Sequence, residues 1–316
     1  HPRVRRQRQM CIRDRFGSQG SGRNENHTRN ILYLRSGFVL VSDYVKPYDS
    51  DSGEHVYDQY WHMPPDAKLT LDETSLTARS NVADEANVQV VPVDDGELEA
   101  AIENGYYIAT TADYAKYQKK GRGPVTFDTV LYPEKPGERP EITAEKLNLS
   151  DVEDNGATAM RVVIEPEKGA VSDISYYLVH DTSQQKVRRF GNYETDARCA
   201  YVERDGRGNL AQLIIQDGTY IKDLSKDLIL FQAREQVSQL GFRAEYGSLA
   251  LASSQTLDLQ KCTVLADTGS APTELTWNGK KTDYKLSGRY VYFGNQPIID
   301  GGELPEPTPG PTAKPG

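Results

Sequence analysis

Three of the chain's five histidines, His27, His55 and His62, lie in the stretch 26–63, with Asp43 between them. Imidazole nitrogen and carboxylate oxygen both suit Zn²⁺, and three such groups leave a fourth, tetrahedral position for water. The same side chains have a commonplace alternative: isolated histidines on half-exposed strands are mostly hydrogen-bonded surface residues. Which applies depends on whether the backbone brings the groups together.

The flanking residues read as strands. Asn30–Arg35 and Phe38–Val45 are rich in aliphatic, β-branched and aromatic side chains and are separated by Ser36-Gly37, which predicts a hairpin. Its register decides the site. A two-residue turn at Ser36-Gly37 pairs Arg35 with Phe38 and sends His27 and Asp43 to opposite faces. A three-residue loop, Arg35-Ser36-Gly37, pairs Leu34 with Phe38 and Arg29 with Asp43, and places His27 and Asp43 on one face at a diagonal spacing of about 7–8 Å. Glycine in the third loop position, where a left-handed residue is wanted, favours this second register. A further strand over Val56–Met63 carries the other histidines. His55 and His62 are seven apart and point to opposite faces, so only one can join the pair.

Several runs resemble one family when taken in order: H-T-R at His27–Arg29, F-V-L-V-S-D-Y at Phe38–Tyr44, H-x-Y-x-x-Y-W-H at His55–His62, V-T-F-D-T-V-L-Y-P at Val125–Pro133 and Y-E-T-D-A at Tyr193–Ala197. Together they resemble the β-sandwich portion of the heparinase II/III-like polysaccharide lyases, over residues 24–245. The resemblance implies a structural zinc held by His27, Asp43 and His62, with His55 as the alternative third ligand, and an acidic, uronate-containing polysaccharide as partner. It also implies that β-elimination depends mostly on Asn, His and Tyr groups of an N-terminal α/α toroid domain, absent from this sequence. The sandwich then forms one wall of the cleft and, in some relatives, supplies an aromatic hydroxyl. Tyr48, in the loop between Asp43 and His62, is the catalytic candidate for that hydroxyl, with Tyr57 and Tyr60 behind it. Glu25 departs from the family, whose members often have a second histidine at that position.

Composition narrows the partners. The first fifteen residues hold six arginines and one aspartate, so setting them aside takes the formal charge from −9 to −14. Their Q-M-C-I-R-D-R run resembles a translated sequencing-library adapter, and residues 1–23 are expected to be a scar with a disordered lead-in. The acidic remainder argues against nucleic acid, which needs clustered Lys and Arg. A local basic cleft with candidates such as Arg29 and Lys46 still suits uronates. Cys199 and Cys262, outside the scar, are expected to be buried free thiols rather than a disulfide. No run has the length of a transmembrane helix. Gly301–Gly316 is Pro-rich and reads as a spacer of the kind found in multidomain secreted bacterial proteins, so both ends are expected to be truncations and the intact protein to be extracellular, cell-surface or periplasmic.

Between the ends, alternating runs bounded by Asp-Gly and Asn-Gly turns predict an all-β chain, a large antiparallel β-sandwich. Residues 246–300 follow as a small C-terminal β region or as the last hairpins of the same sandwich. Glu97–Glu103 and Lys226–Gln239 have the pattern of short helical turns, with strand equally favoured for Leu228–Ala233. The absence of a Gly-rich phosphate loop, a G-x-S-x-G elbow and an HExxH helix removes nucleotide, serine-hydrolase and zincin readings. Two function classes remain: the β-sandwich part of a secreted polysaccharide lyase, and a non-catalytic carbohydrate-binding or scaffold module in which Trp61, Tyr57 and Tyr60 stack on sugar rings.

Overall fold

A computed structural model describes residues 11–16, 25–34, 37–47, 53–107, 110–150, 156–245, 248–253, 262–265, 274–287 and 290–292. Among these, secondary structure is strand throughout apart from one 3-10 turn at Thr182–Gln184. No helix among them is long and apolar enough to cross a membrane. The chain divides into two compact units, residues 11–146 with 160–171, and residues 147–159 with 172–292.

The first unit contains β1 (Cys11–Phe16), β2 (Glu25–Tyr33), β3 (Val39–Pro47), β4 (His55–His62), β5 (Lys68–Leu71), β6 (Ala78–Asn81), β7 (Asn87–Pro92), β8 (Glu99–Tyr107), β9 (Thr110–Gly121), β10 (Val125–Glu134) and β11 (Glu141–Lys146). Seven of them form an antiparallel sheet in the order β1-β2-β3-β10-β7-β6-β5, and β4-β9-β8 form a second. Tyr57 and Met63 from the smaller sheet's first strand and its exit, Ala115 and Tyr117 from β9, and Ala78, Val90 and Phe127 from the larger sheet share one buried cluster, which makes the unit a two-layer sandwich. The alternation along β9, where Ala115, Tyr117 and Lys119 are buried and their neighbours are not, is the period-two signature of one covered face.

The β2–β3 register is the one that a three-residue loop requires. Arg29 lies opposite Asp43, Tyr33 opposite Val39, and Leu34 N–H donates to Phe38 O at 3.1 Å. Gly37 has φ +104°, a conformation that a side chain would strain. Arg35 and Ser36 themselves lie outside the described residues.

The second unit places strands 172–179, 199–205, 210–216 and 240–245 in one antiparallel run and strands 188–190, 193–195, 218–223, 228–237 and 262–265 in another. Tyr177, Phe190, Leu213, Phe231, Val264 and Leu275 belong to its buried core. The C-terminal strands join these sheets rather than forming a separate region. Ser248–Ser253 pairs with 240–245, 262–265 pairs with 228–237, and Glu274–Trp277 adds in parallel to Ser248–Ser253. Asn278 and Gly279, at φ +48° and +79°, make the type I′ turn their dipeptide predicts. Cys199 and Cys262 are buried thiols that are not joined in a disulfide.

Two expectations change. The region 99–103 is strand β8, because its residues pair along β9 from Glu99↔Gln118 onward. Within the expected scar, Cys11–Phe16 forms β1 against β2, from Cys11↔Leu32 to Phe16↔His27. The edge of β2 offers a row of unpaired N–H and C=O groups that an extended segment satisfies whatever its sequence. The remainder of 1–23, and 301–316, lie outside the described residues.

Candidate functional site

Asp43 is the centre of the arrangement. It sits in the middle of β3 with only 2% of its surface exposed, and the β2–β3 register brings two basic side chains of β2 onto it. Arg29, directly opposite, donates Nε to Oδ1 and Nη2 to Oδ2, both at 2.7 Å, in bidentate geometry. His27, diagonally placed, has Nε2 2.8 Å from Oδ1. From the other sheet, Gln59 of β4 donates Nε2 to Oδ2 at 2.8 Å. Four contacts therefore use the four acceptor positions of one carboxylate.

Gln59 is itself held on both sides. Its Oε1 accepts from Trp61 Nε1 at 2.9 Å and from Thr129 Oγ1 at 3.0 Å. The Arg29 guanidinium lies 5.3 Å from the Trp61 ring centroid, a cation–π distance. His27, Arg29, Asp43, Gln59, Trp61 and Thr129 thus form one network across both layers.

Burial alone would raise the Asp43 carboxyl. The hydrogen bonds from Arg29 and His27 and the guanidinium charge outweigh it and hold the group at about 2, against an ordinary 3.8. Because the folded value is the depressed one, the stabilisation is complete above the ordinary value and is lost as pH falls from there through about 2. It amounts to about 2 kcal/mol. Urea unfolding of the wild type should weaken by that amount between pH 4 and pH 2, and the corresponding segment of the Asp43→Ala profile should be flatter. Identical slopes in the two proteins would contradict the assignment.

The histidines of β4 do not reach this centre. Gln59 fixes the parity of β4, so His62 points to the opposite face, exposed, with its ring 5.0 Å from that of Tyr114. His55 shares the parity of Gln59 but lies four residues away, about 13 Å along a strand. Among the described residues, no three His, Cys, Asp or Glu side chains are grouped to hold a metal ion. As folded, His27, Asp43 and His62, or His55 in its place, do not fit zinc: the Arg29 guanidinium takes the position a cation would need against Asp43.

The aromatic candidates separate by parity as well. Tyr57 is buried, its hydroxyl donating to Gly123 O at 3.3 Å, so it packs the core and is not available to stack on a sugar. Trp61 is partly buried within the Asp43 network. Tyr60 alone of the three is exposed, at 43%. Tyr48 lies outside the described residues. The members that sequence reasoning missed are Gln59, which has no metal-ligand signature, and Thr129 of β10, which donates to it. Arg29 was legible as the direct cross-strand partner of Asp43, the position where opposite charges pair.

No protein-family profile matches this sequence, and no curated protein sequence matches it. Among solved structures, the chain is similar to a mutant of heparan sulfate lyase HepC from Pedobacter heparinus, at 15% identity and a TM-score of 0.42. The match covers 54% of this chain and 28% of that one, so the chain spans little more than a quarter of that structure's length.

Proposed function

We propose that this chain is the β-sandwich part of a secreted polysaccharide lyase acting on uronate-containing chains, in which it forms one wall of the substrate cleft. The observation that carries the reading is the convergence on Asp43. Residues from three separate sequence runs that resemble the heparinase II/III-like lyases, His27 and Arg29, Asp43, and Gln59 with Trp61, come from three strands in two sheets and meet at one carboxylate.

Elimination from a uronate requires neutralisation of its carboxylate, a base for the proton at C5 and an acid for the departing oxygen. Arg29 is committed to Asp43, so its charge serves the wall's geometry. His27, with about a third of its side chain exposed and its Nε2 fixed by Asp43, is the oriented polar group at the water-facing side of the network. The base and acid are assigned to the rest of the intact protein. The exposed rings at Tyr60 favour the second reading, a carbohydrate-binding module without catalysis.

Turnover separates the readings. On alginate, heparin, heparan sulfate and hyaluronan, the intact protein should form the ultraviolet-absorbing C4–C5 double bond on at least one substrate, and residues 1–316 alone on none. An intact protein inactive on all four would favour the binding module. Turnover by residues 1–316 would place the proton-transfer groups within them.

Zinc is tested separately. Chelator should leave the melting temperature unchanged, and metal analysis should find less than one zinc per chain. Stoichiometric zinc that disappears in Asp43→Ala would show that Arg29 yields its place to the ion.

A further inference from the structure

On the outer face of β4-β9-β8, away from Asp43, three rings meet. Tyr60 and Tyr114 are edge-to-face with centroids 5.6 Å apart, His62 lies 5.0 Å from Tyr114 at 32°, and Tyr60 and His62 are 6.2 Å apart. The strand register puts them there: His62 is opposite Tyr114, which is opposite Glu103, with Tyr60 one row along beside Lys116. Gly105 makes room, since a Cβ at that position would come within 2.7 Å of Tyr114 Cε1.

The phenol hydroxyls are anchored by carboxylates of the same face. Tyr60 donates to Asp58 at 2.8 Å and Tyr114 to Glu103 at 2.6 Å, and these bonds raise both phenols, Tyr60 to about 12, so the rings stay neutral donors. The other oxygen of Asp58 accepts from Gln118 Nε2 at 2.7 Å, and Lys116 lies 3.9 Å from that oxygen and 3.5 Å from Glu103 Oε1, which leaves each carboxylate with lone pairs for further donors.

We infer that this face is a binding platform for a neutral pyranose chain, separate from the Asp43 network and independent of the lyase reading. An aromatic surface rimmed by oriented hydrogen-bonding groups matches a sugar ring, which has an apolar C–H face and a belt of hydroxyls. The charge balance selects the class. Two carboxylates against one ammonium accept hydroxyl protons but repel a uronate or sulfate, so the ligand is uncharged and the surface differs in kind from one built for a polyanion.

Affinity electrophoresis tests the inference, with gels containing β-glucan, xylan, galactomannan or, as the charged comparison, alginate. At least one neutral glycan should retard the wild type, and alginate should not. Tyr60→Ala and His62→Ala should each weaken the retardation constant by about tenfold. Both residues are exposed, and unchanged melting temperatures will show that the variants fold. Tyr33→Ala, which removes an exposed ring on the larger sheet, should bind as the wild type does. Lack of retardation by all three neutral glycans, stronger retardation by alginate, or retardation undiminished in Tyr60→Ala and His62→Ala would each overturn it.

Discussion

Asp43→Ala should lower the unfolding free energy of the first unit by about 3–5 kcal/mol, the cost of breaking a buried ion pair from one side. The substitution removes the acceptor for Arg29, His27 and Gln59 together and leaves their donors facing a cavity. Arg29 has a third of its side chain exposed and can turn toward water, which places the effect at the lower end of that range. Gln59 has no such escape, because it is 4% exposed and also tied to Trp61 and Thr129. Trp61 reports the change directly: in a Trp277→Phe background it is the sole tryptophan, and its fluorescence follows urea unfolding of this unit. A loss below about 1 kcal/mol would show that the network is no more than a surface ion pair. The double-mutant cycle with Arg29→Met isolates the pair and should show strong coupling.

Gly218→Ala should destabilise the second unit by about 3 kcal/mol, at the upper end for an added methyl group. A Cβ on Gly218 would meet the Cβ of Ala197 and come within 2.5 Å of its Cα, so backbone must move. The segment around Ala197 cannot move cheaply. Asp196 accepts from Thr219 N–H and Tyr220 N–H at 2.7 and 3.2 Å, Ala197 N–H is held by Thr195 Oγ1, and Arg198 N–H donates to Gln216 O. Gln185 clamps the two sides by donating to the carbonyls of both Asp196 and Asp217. Gly208 is the control. It has φ +80° but open space around it, so Gly208→Ala should cost only about 1 kcal/mol through backbone strain. Thermal unfolding should therefore show a larger fall for Gly218→Ala than for Gly208→Ala. Equal falls would mean that the close approach relaxes.

Local rules made the His27–Asp43 pairing legible in the sequence. A glycine at the third loop position set the β2–β3 register, and period-two alternation then put His27, Arg29 and Asp43 on one face. The same alternation, with Asp-Gly and Asn-Gly turns, was enough for the all-β class and for most strand positions. Both features depend only on neighbours along the chain or across one hairpin.

The third strand at the site obeys no such rule. β4 shares no backbone ladder with β3; it belongs to the other sheet, so its axial position and the face it turns inward come from packing around Tyr57, Tyr117 and Phe127. That packing delivered Gln59 rather than His62 or His55 to Asp43, and left His62 outside beside Tyr60 and Tyr114. Residue types and their spacing determined which groups could do chemistry near Asp43. Only the stacking of two sheets, a sum of many weak non-local contacts, decided that an amide of β4 rather than one of its imidazoles would join Arg29 and His27 at the carboxylate, and that the histidines would be divided between two faces.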